Sequence, residues 1–115
     1  MKKYLLTTLT LGLIATNVNA ACLPMAAGGM CEKVKVVRLY VTKNETYVST
    51  TGDETALEAC TPIGGQYIRL RKSNPNYKAM HHTLLEAQVA KKDVIVRAYP
   101  DSSNACTVIY VTIDN

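Results

Sequence analysis

The chain has 115 residues, enough for one domain but with little hydrophobic core to spare, so cross-links would help it fold. Its 13 lysines and arginines against 9 acidic residues give a formal charge of +4. Without Lys2 and Lys3, the two lysines of an expected signal segment, the balance is +2, too mild to announce a nucleic-acid binder, which wants a basic stripe and a very high pI.

The first three residues, Met1, Lys2 and Lys3, precede an uncharged run over 4–16 and the stretch Asn17, Val18, Asn19, Ala20. This is the charge, length and small-residue exit of a secretory signal, with cleavage expected after Ala20. Val18 and Ala20 supply the small side chains at the third and first positions before the cut. The run is shorter than the roughly 20 apolar residues that span a bilayer, and no later segment comes closer. Acylation of Cys22 is disfavoured, because Asn19 stands where a leucine-like residue is wanted and the loss of Cys22 would leave an odd thiol. The expected organisation is therefore a signal over 1–20 and a single domain over 21–115, secreted or periplasmic in a bacterium. Removing Lys2 and Lys3, the only charged residues of the signal, takes the formal charge from +4 to +2.

Four cysteines in an exported chain predict two disulfides, with three possible pairings. Cys22 and Cys31 flank a short loop with two glycines that closes without help from the fold, which pairs them and leaves Cys60 with Cys106. No Cys-x-x-Cys spacing is present, so the thiols are read as structural rather than zinc-binding or nucleophilic.

Residues 33–42 are β-rich, but their alternation slips: Val34 and Val36 share one face, then Val37, Leu39 and Val41 continue in the opposite phase. A slip of one residue predicts a bulge or sharp bend. A turn at Asn44 and Glu45 leads to a second strand over 46–52. Residues 53–65 read as a polar connection broken by Pro62, Gly64 and Gly65. The third strand, 66–72, sets Ile68 and Leu70 on one face and Tyr67, Arg69 and Arg71 on the other. A helix follows, capped by Ser73 or Asn74 with Pro75 in its first turn, and its spacing holds to about Lys91. Strands four and five cover 93–99 and 106–113.

The order β-β-β-α-β-β, mainly β with one helix, has a bent first strand long enough to serve two sheets. It fits a five-stranded Greek-key barrel of the OB type; the alternative is an open α+β sheet with the helix on one face. The barrel places the third and fifth strands side by side and parallel, which brings Cys60 and Cys106 within disulfide reach.

On the helix, Tyr77, Met80, Leu84 and Gln88 gather on one side, with Leu85 at its edge. His81 and His82 are adjacent, so they point about 100° apart and do not chelate one ion. His81 is expected to pack and His82 to lie at the surface or in an interface; no metal or other cofactor is expected. Nor is an enzyme: no Gly-x-Ser-x-Gly elbow is present, and Asp53, Glu54 and Glu58 lie in what reads as a solvated loop. The sequon at Asn44, Glu45 and Thr46 is a pattern common by chance. Opposite the apolar stripe, the small and weakly polar Ala79, His82, Thr83, Glu86 and Ala90 allow close approach of a second surface, an oligomer contact. The outward residues Tyr47, Ser49, Tyr67, Arg69 and Arg71, with the loops 43–45 and 100–104, form the ligand surface expected of such a barrel.

The segments over 77–96 and 105–113, with 59–70 before them, resemble the small exported proteins related to subtilase cytotoxin B subunits. The resemblance covers about 33–113. It implies an OB-fold cell-binding subunit that recognises a host glycan or glycoprotein and assembles as a homo-oligomeric, pentameric ring, with a catalytic toxin subunit as a further partner. The Cys22–Cys31 loop has no counterpart in that family, and none of its sugar-contacting residues aligns here. The alternative is a monomeric periplasmic or secreted protein-binding module, an inhibitor or envelope component.

Overall fold

The computed structural model describes residues 20–113. Apart from Ala20, the expected signal segment lies outside the described residues. The elements in chain order are β1 (Ala21–Pro24), β2 (Gly29–Val34), β3 (Val36–Val41), β4 (Glu45–Thr50), a 3₁₀ turn (Glu54–Leu57), β5 (Ile68–Arg71), α1 (Tyr77–Ala90), β6 (Val94–Pro100) and β7 (Cys106–Ile113). The molecule is mainly β with one helix, as expected.

The seven strands form one mixed sheet in the order β1-β2-β6-β7-β5-β4-β3, with β5 and β7 parallel and the other pairs antiparallel. Seven rather than five strands is a correction with two causes. Ala21–Pro24, read as a loop, pairs with β2, placing Cys22 directly opposite Cys31. The first expected strand begins earlier, at Gly29, and divides at Lys35. The bulge expected from its broken alternation is present, as a register shift between Val36 and Arg38. A second shift falls between Cys31 and Val34, where Lys33 adopts a positive φ of 56°. Strands β2 and β3 are thus one residue apart in sequence yet stand towards opposite ends of the sheet order. The sheet must curl for Lys35 to join them.

Alternation sets the core. Val48, Ile68, Leu70, Val94, Val96, Ala98 and Val108 are fully or almost fully buried, and the residues between them face outward. From the helix Met80, Leu84 and Ala87 complete the core. The buried stripe is therefore rotated from the expected one: Ala87 joins it, Tyr77 and Gln88 are half-buried, and Leu85 is 43% exposed. Gln88 uses its amide to reach the Val37 carbonyl at 3.1 Å, tying the helix to β3.

The helix begins at Tyr77, later than expected. Asn74 caps a preceding turn instead, its Oδ1 accepting from the Asn76 N–H (2.8 Å) and its carbonyl from the Tyr77 N–H (2.9 Å); Pro75 sits within that turn. The helix stops where Lys91 turns left-handed (φ 56°), with the Lys92 N–H returning to the Ala87 carbonyl.

Both disulfides form as paired above, Cys22–Cys31 and Cys60–Cys106, with Cα separations of 3.8 and 4.9 Å. The second is flanked by parallel bonding of Thr61 with the start of β7, the Cys106 N–H donating to the Thr61 carbonyl at 3.0 Å. Glu54 corrects the solvated-loop reading. It is 4% exposed, and its Oε2 accepts from the Thr50 N–H (2.7 Å) and the Thr50 hydroxyl (2.6 Å), which satisfies the buried carboxylate. No helix of the described residues is long and apolar enough to cross a membrane.

Candidate ligand site on the outer face of β3, β4 and β5

The chain has neither Phe nor Trp, so its 7 tyrosines are its whole aromatic complement. Three of them meet on one face. Strand alternation turns Tyr47 outward between the buried Thr46 and Val48, and the antiparallel register sets Tyr40 opposite Tyr47. Tyr67, just before β5, completes a triangle with ring centroids 5.6 Å (Tyr40–Tyr47), 6.0 Å (Tyr40–Tyr67) and 6.0 Å (Tyr47–Tyr67) apart. The rings are steeply inclined, at 63°, 70° and 52°. The two edge-to-face contacts, Tyr40–Tyr47 and Tyr40–Tyr67, each stabilise by about 0.5–1.5 kcal/mol beyond area burial. Arg38, outward on β3, donates from Nη1 to the Tyr67 hydroxyl at 3.2 Å.

Beside the triangle lies an ion network. Arg69, directly opposite Tyr47 across β4 and β5, has a side chain only 13% exposed. It bridges Glu45 (3.2 Å) and Asp101, and also donates to the Ser103 hydroxyl at 3.3 Å. Arg71 is 3.7 Å from Glu45 and 3.8 Å from Asp101. Two cations thus meet two carboxylates. The Tyr47 hydroxyl donates to Glu45, and this bond, then burial and the Glu45 charge, raises the Tyr47 pKa above that of a free tyrosine.

Asp101 anchors the loop between β6 and β7, accepting from the Ser103 hydroxyl (2.7 Å), the Ser103 N–H (2.8 Å) and the Ala105 N–H (3.1 Å). The Ser103 hydroxyl foremost, with that residue's N–H, Arg69 and the Ala105 N–H, holds the Asp101 carboxyl well below the usual carboxylate range against an opposing desolvation.

Of the five expected ligand residues, the structure brings Tyr47 and Tyr67 together. It engages Arg69 and, more loosely, Arg71 with carboxylates. It buries Ser49 to 7% exposure, so that hydroxyl is not a surface contact. Sequence reasoning missed Tyr40 and Arg38. Their outward phase follows from the Val37, Leu39, Val41 periodicity, but the bend in that strand obscured which face they share with Tyr47.

Two shallow hollows adjoin the network at the junction of β5 and α1. One, of about 350 Å³, is lined by Asn44, Glu45, Arg71, Lys72 and Ser73. The other, of about 560 Å³, shares Lys72 and Ser73 and continues to Asn74, Pro75, Tyr77 and Lys78.

The two histidines part as expected. His81 Nδ1 lies 3.1 Å from the hydroxyl of the fully buried Thr46 and its ring stacks on Tyr77, whose own hydroxyl is 2.7 Å from the same Thr46 oxygen. His82 is exposed. Of the expected oligomer face, Ala79, His82, Glu86 and Ala90 are exposed, while Thr83 is half-buried and donates to the Ala79 carbonyl. Leu85 and, at 75% exposure, Val89 extend that surface with apolar groups the sequence reading did not include. Val37 and Val41 on β3 are also more than half exposed.

The chain matches no protein-family model, no curated protein and no solved structure.

Proposed function

We propose that the protein is an exported, non-catalytic glycan-binding module whose sugar platform is the Tyr40, Tyr47 and Tyr67 cluster. The mutual approach of three tyrosines, with Tyr40 still 52% exposed, is the observation that carries this reading. Aromatic rings that present an apolar face and a hydroxyl tip are the groups that pair with the C–H faces and hydroxyls of a sugar. Arg38 adds an orientable donor beside them. Arg69 then acts as a positioning residue, since its two terminal nitrogens are engaged by Glu45 and Asp101 and tie β4, β5 and the 101–105 loop together beside the platform, while its buried Nε has no partner among the described residues.

The fold is read as an OB-type barrel in which β2 and β3 together are one bent first strand and β4 to β7 supply the other four. The single-residue separation at Lys35 and the parallel pairing of β5 with β7 support it. The β1 strand is an addition, stapled by Cys22–Cys31. Two disulfides agree with export to a secreted or periplasmic location. By its resemblance to the toxin B subunits, the module would work as a homo-oligomer, a pentameric ring, and deliver a catalytic partner to a host glycoprotein. The exposed Leu85 and Val89 beside Ala79, His82 and Glu86 support a self-contact through α1.

A second reading, a monomeric protein-binding module, is favoured by one observation: Val37 and Val41 leave apolar side chains exposed on β3, the strand at the end of the sheet order. A glycan screen on the oxidised mature protein, run beside its native mass, separates the two. Glycan binding by an oligomer is expected; a monomer that binds no glycan would leave the protein-binding module.

A further inference from the structure

We propose that the paired hollows at the β5–α1 junction form an oxyanion subsite of the same ligand site, taking a sulfate or phosphate ester carried by the oligosaccharide. This rests on the glycan-binding reading. Three cations, Arg71, Lys72 and Lys78, line the hollows. The one acidic lining residue, Glu45, is already engaged by Tyr47, Arg69 and Arg71. Lys72 and Lys78 make no salt bridge to any described residue; the Lys72 ammonium lies 6.0 Å from the centre of the Tyr77 ring. Among the described residues these lysines thus have no carboxylate partner, and the Ser73 hydroxyl is a further donor.

The cations here fit an oxyanion of any geometry, so a heparin parent that keeps its carboxylates is the control that separates ester from carboxylate. A free arginine fork would suit a carboxylate or a phosphate, but Arg71 is turned towards Glu45 and Asp101. The cations left over are lysines, point charges on flexible stems that match a tetrahedral oxyanion as well as any other geometry. Glu45 and Tyr47 are two residues apart on β4, about 7 Å of strand rise, and Arg71 stands directly opposite Glu45. A ligand longer than one sugar ring that rests on the tyrosines would therefore extend to the hollow that Glu45, Arg71 and Lys72 line. Both hollows are open and shallow, which suits a substituent projecting from a chain more than an enclosed small molecule.

The test is calorimetric titration of the oxidised mature protein with a sulfated heparin tetrasaccharide and a phosphorylated oligomannose. Each is compared with its ester-free parent, and the heparin parent retains its carboxylates. Wild type, the double variant Lys72→Ala/Lys78→Ala and the double variant Tyr47→Ala/Tyr67→Ala are measured in parallel. At least one ester should bind wild type about tenfold more tightly than its parent, and the ester that does so identifies the source. Lys72→Ala/Lys78→Ala should erase that gain and keep the parent's affinity. A gain that persists in the lysine variant, or no gain with either ester, would overturn the subsite. So would a charge-matched single-stranded oligonucleotide binding as tightly as the esters. An ester-dependent gain that survives Tyr47→Ala/Tyr67→Ala would overturn the tyrosine platform and leave the subsite standing. Parent binding that needs the tyrosines but ignores the ester would do the reverse.

Discussion

Arg69 and Asp101 make the strongest single-residue demands on the site. The Arg69 side chain is 13% exposed between Glu45 and Asp101, at 16% and 15%. Arg69→Ala would leave two carboxylates with little water and no cation in contact except the more distant Arg71. Breaking such a partly buried pair costs about 2–3 kcal/mol, which a denaturant titration resolves. Asp101 contributes to the acid response. Its folded pKa is depressed while the unfolded chain titrates near 3.9, so below about pH 4 the unfolded state takes up the proton first and stability falls as pH drops. Asp101→Asn should be less stable than wild type at neutral pH and show a shallower decline from pH 5 to 2.5. Parallel decline in the two proteins would remove Asp101 from the acid response.

At the scale of the elements, the two disulfides divide the work. The Cys60–Cys106 bridge closes a separation of 46 residues and holds the entry to β5 beside the start of β7. On the chain-entropy model its removal by paired serine substitution should cost about 4 kcal/mol, against about 3 for the ten-residue ring of Cys22–Cys31. A larger loss from the second pair would show that the β1 hairpin, and not the β5–β7 junction, holds the fold. Leu84, fully buried, should lose about 2–5 kcal/mol on truncation to Ala. Val89→Ala, at 75% exposure, should change the stability of the isolated chain by less than about 0.5 kcal/mol.

Much of this layer was legible in the chain itself. Ile68 and Leu70 against Arg69 and Arg71 oriented β5, the slip between Val36 and Val37 marked the bulge, and loop closure paired the cysteines. What could not be read depended on tertiary partners. β1 forms because Gly29 to Glu32 offer it an edge, and Gly28 and Gly29 pack so closely on Tyr99 and Leu57 that a side chain at either would clash. Glu54 is buried because Thr50 donates to it twice. The burial of Ser49 and the engagement of Arg69 likewise lie outside any local pattern, which is why two of the expected ligand residues serve the scaffold instead.

For the molecule as a whole, the sheet curls so that Lys35 joins its two sides, the helix contributes Met80, Leu84 and Ala87 to the core, and the outer face of β3 to β5 is left to the tyrosines. The self-association through α1 proposed above should respond to charge on the apolar exposed row of that helix, Leu85 and Val89. Val89→Glu should lower the native mass to that of a monomer while leaving the far-ultraviolet spectrum unchanged, and an unchanged oligomer would place the contact elsewhere. The tyrosine cluster itself is tested most directly by a glycan-array comparison of wild type with Tyr47→Ala and Tyr67→Ala, each checked for retained melting temperature. A wild-type signal weakened at least tenfold in both variants is expected. Undiminished binding in folded variants, or no glycan bound by the wild type, would contradict the platform.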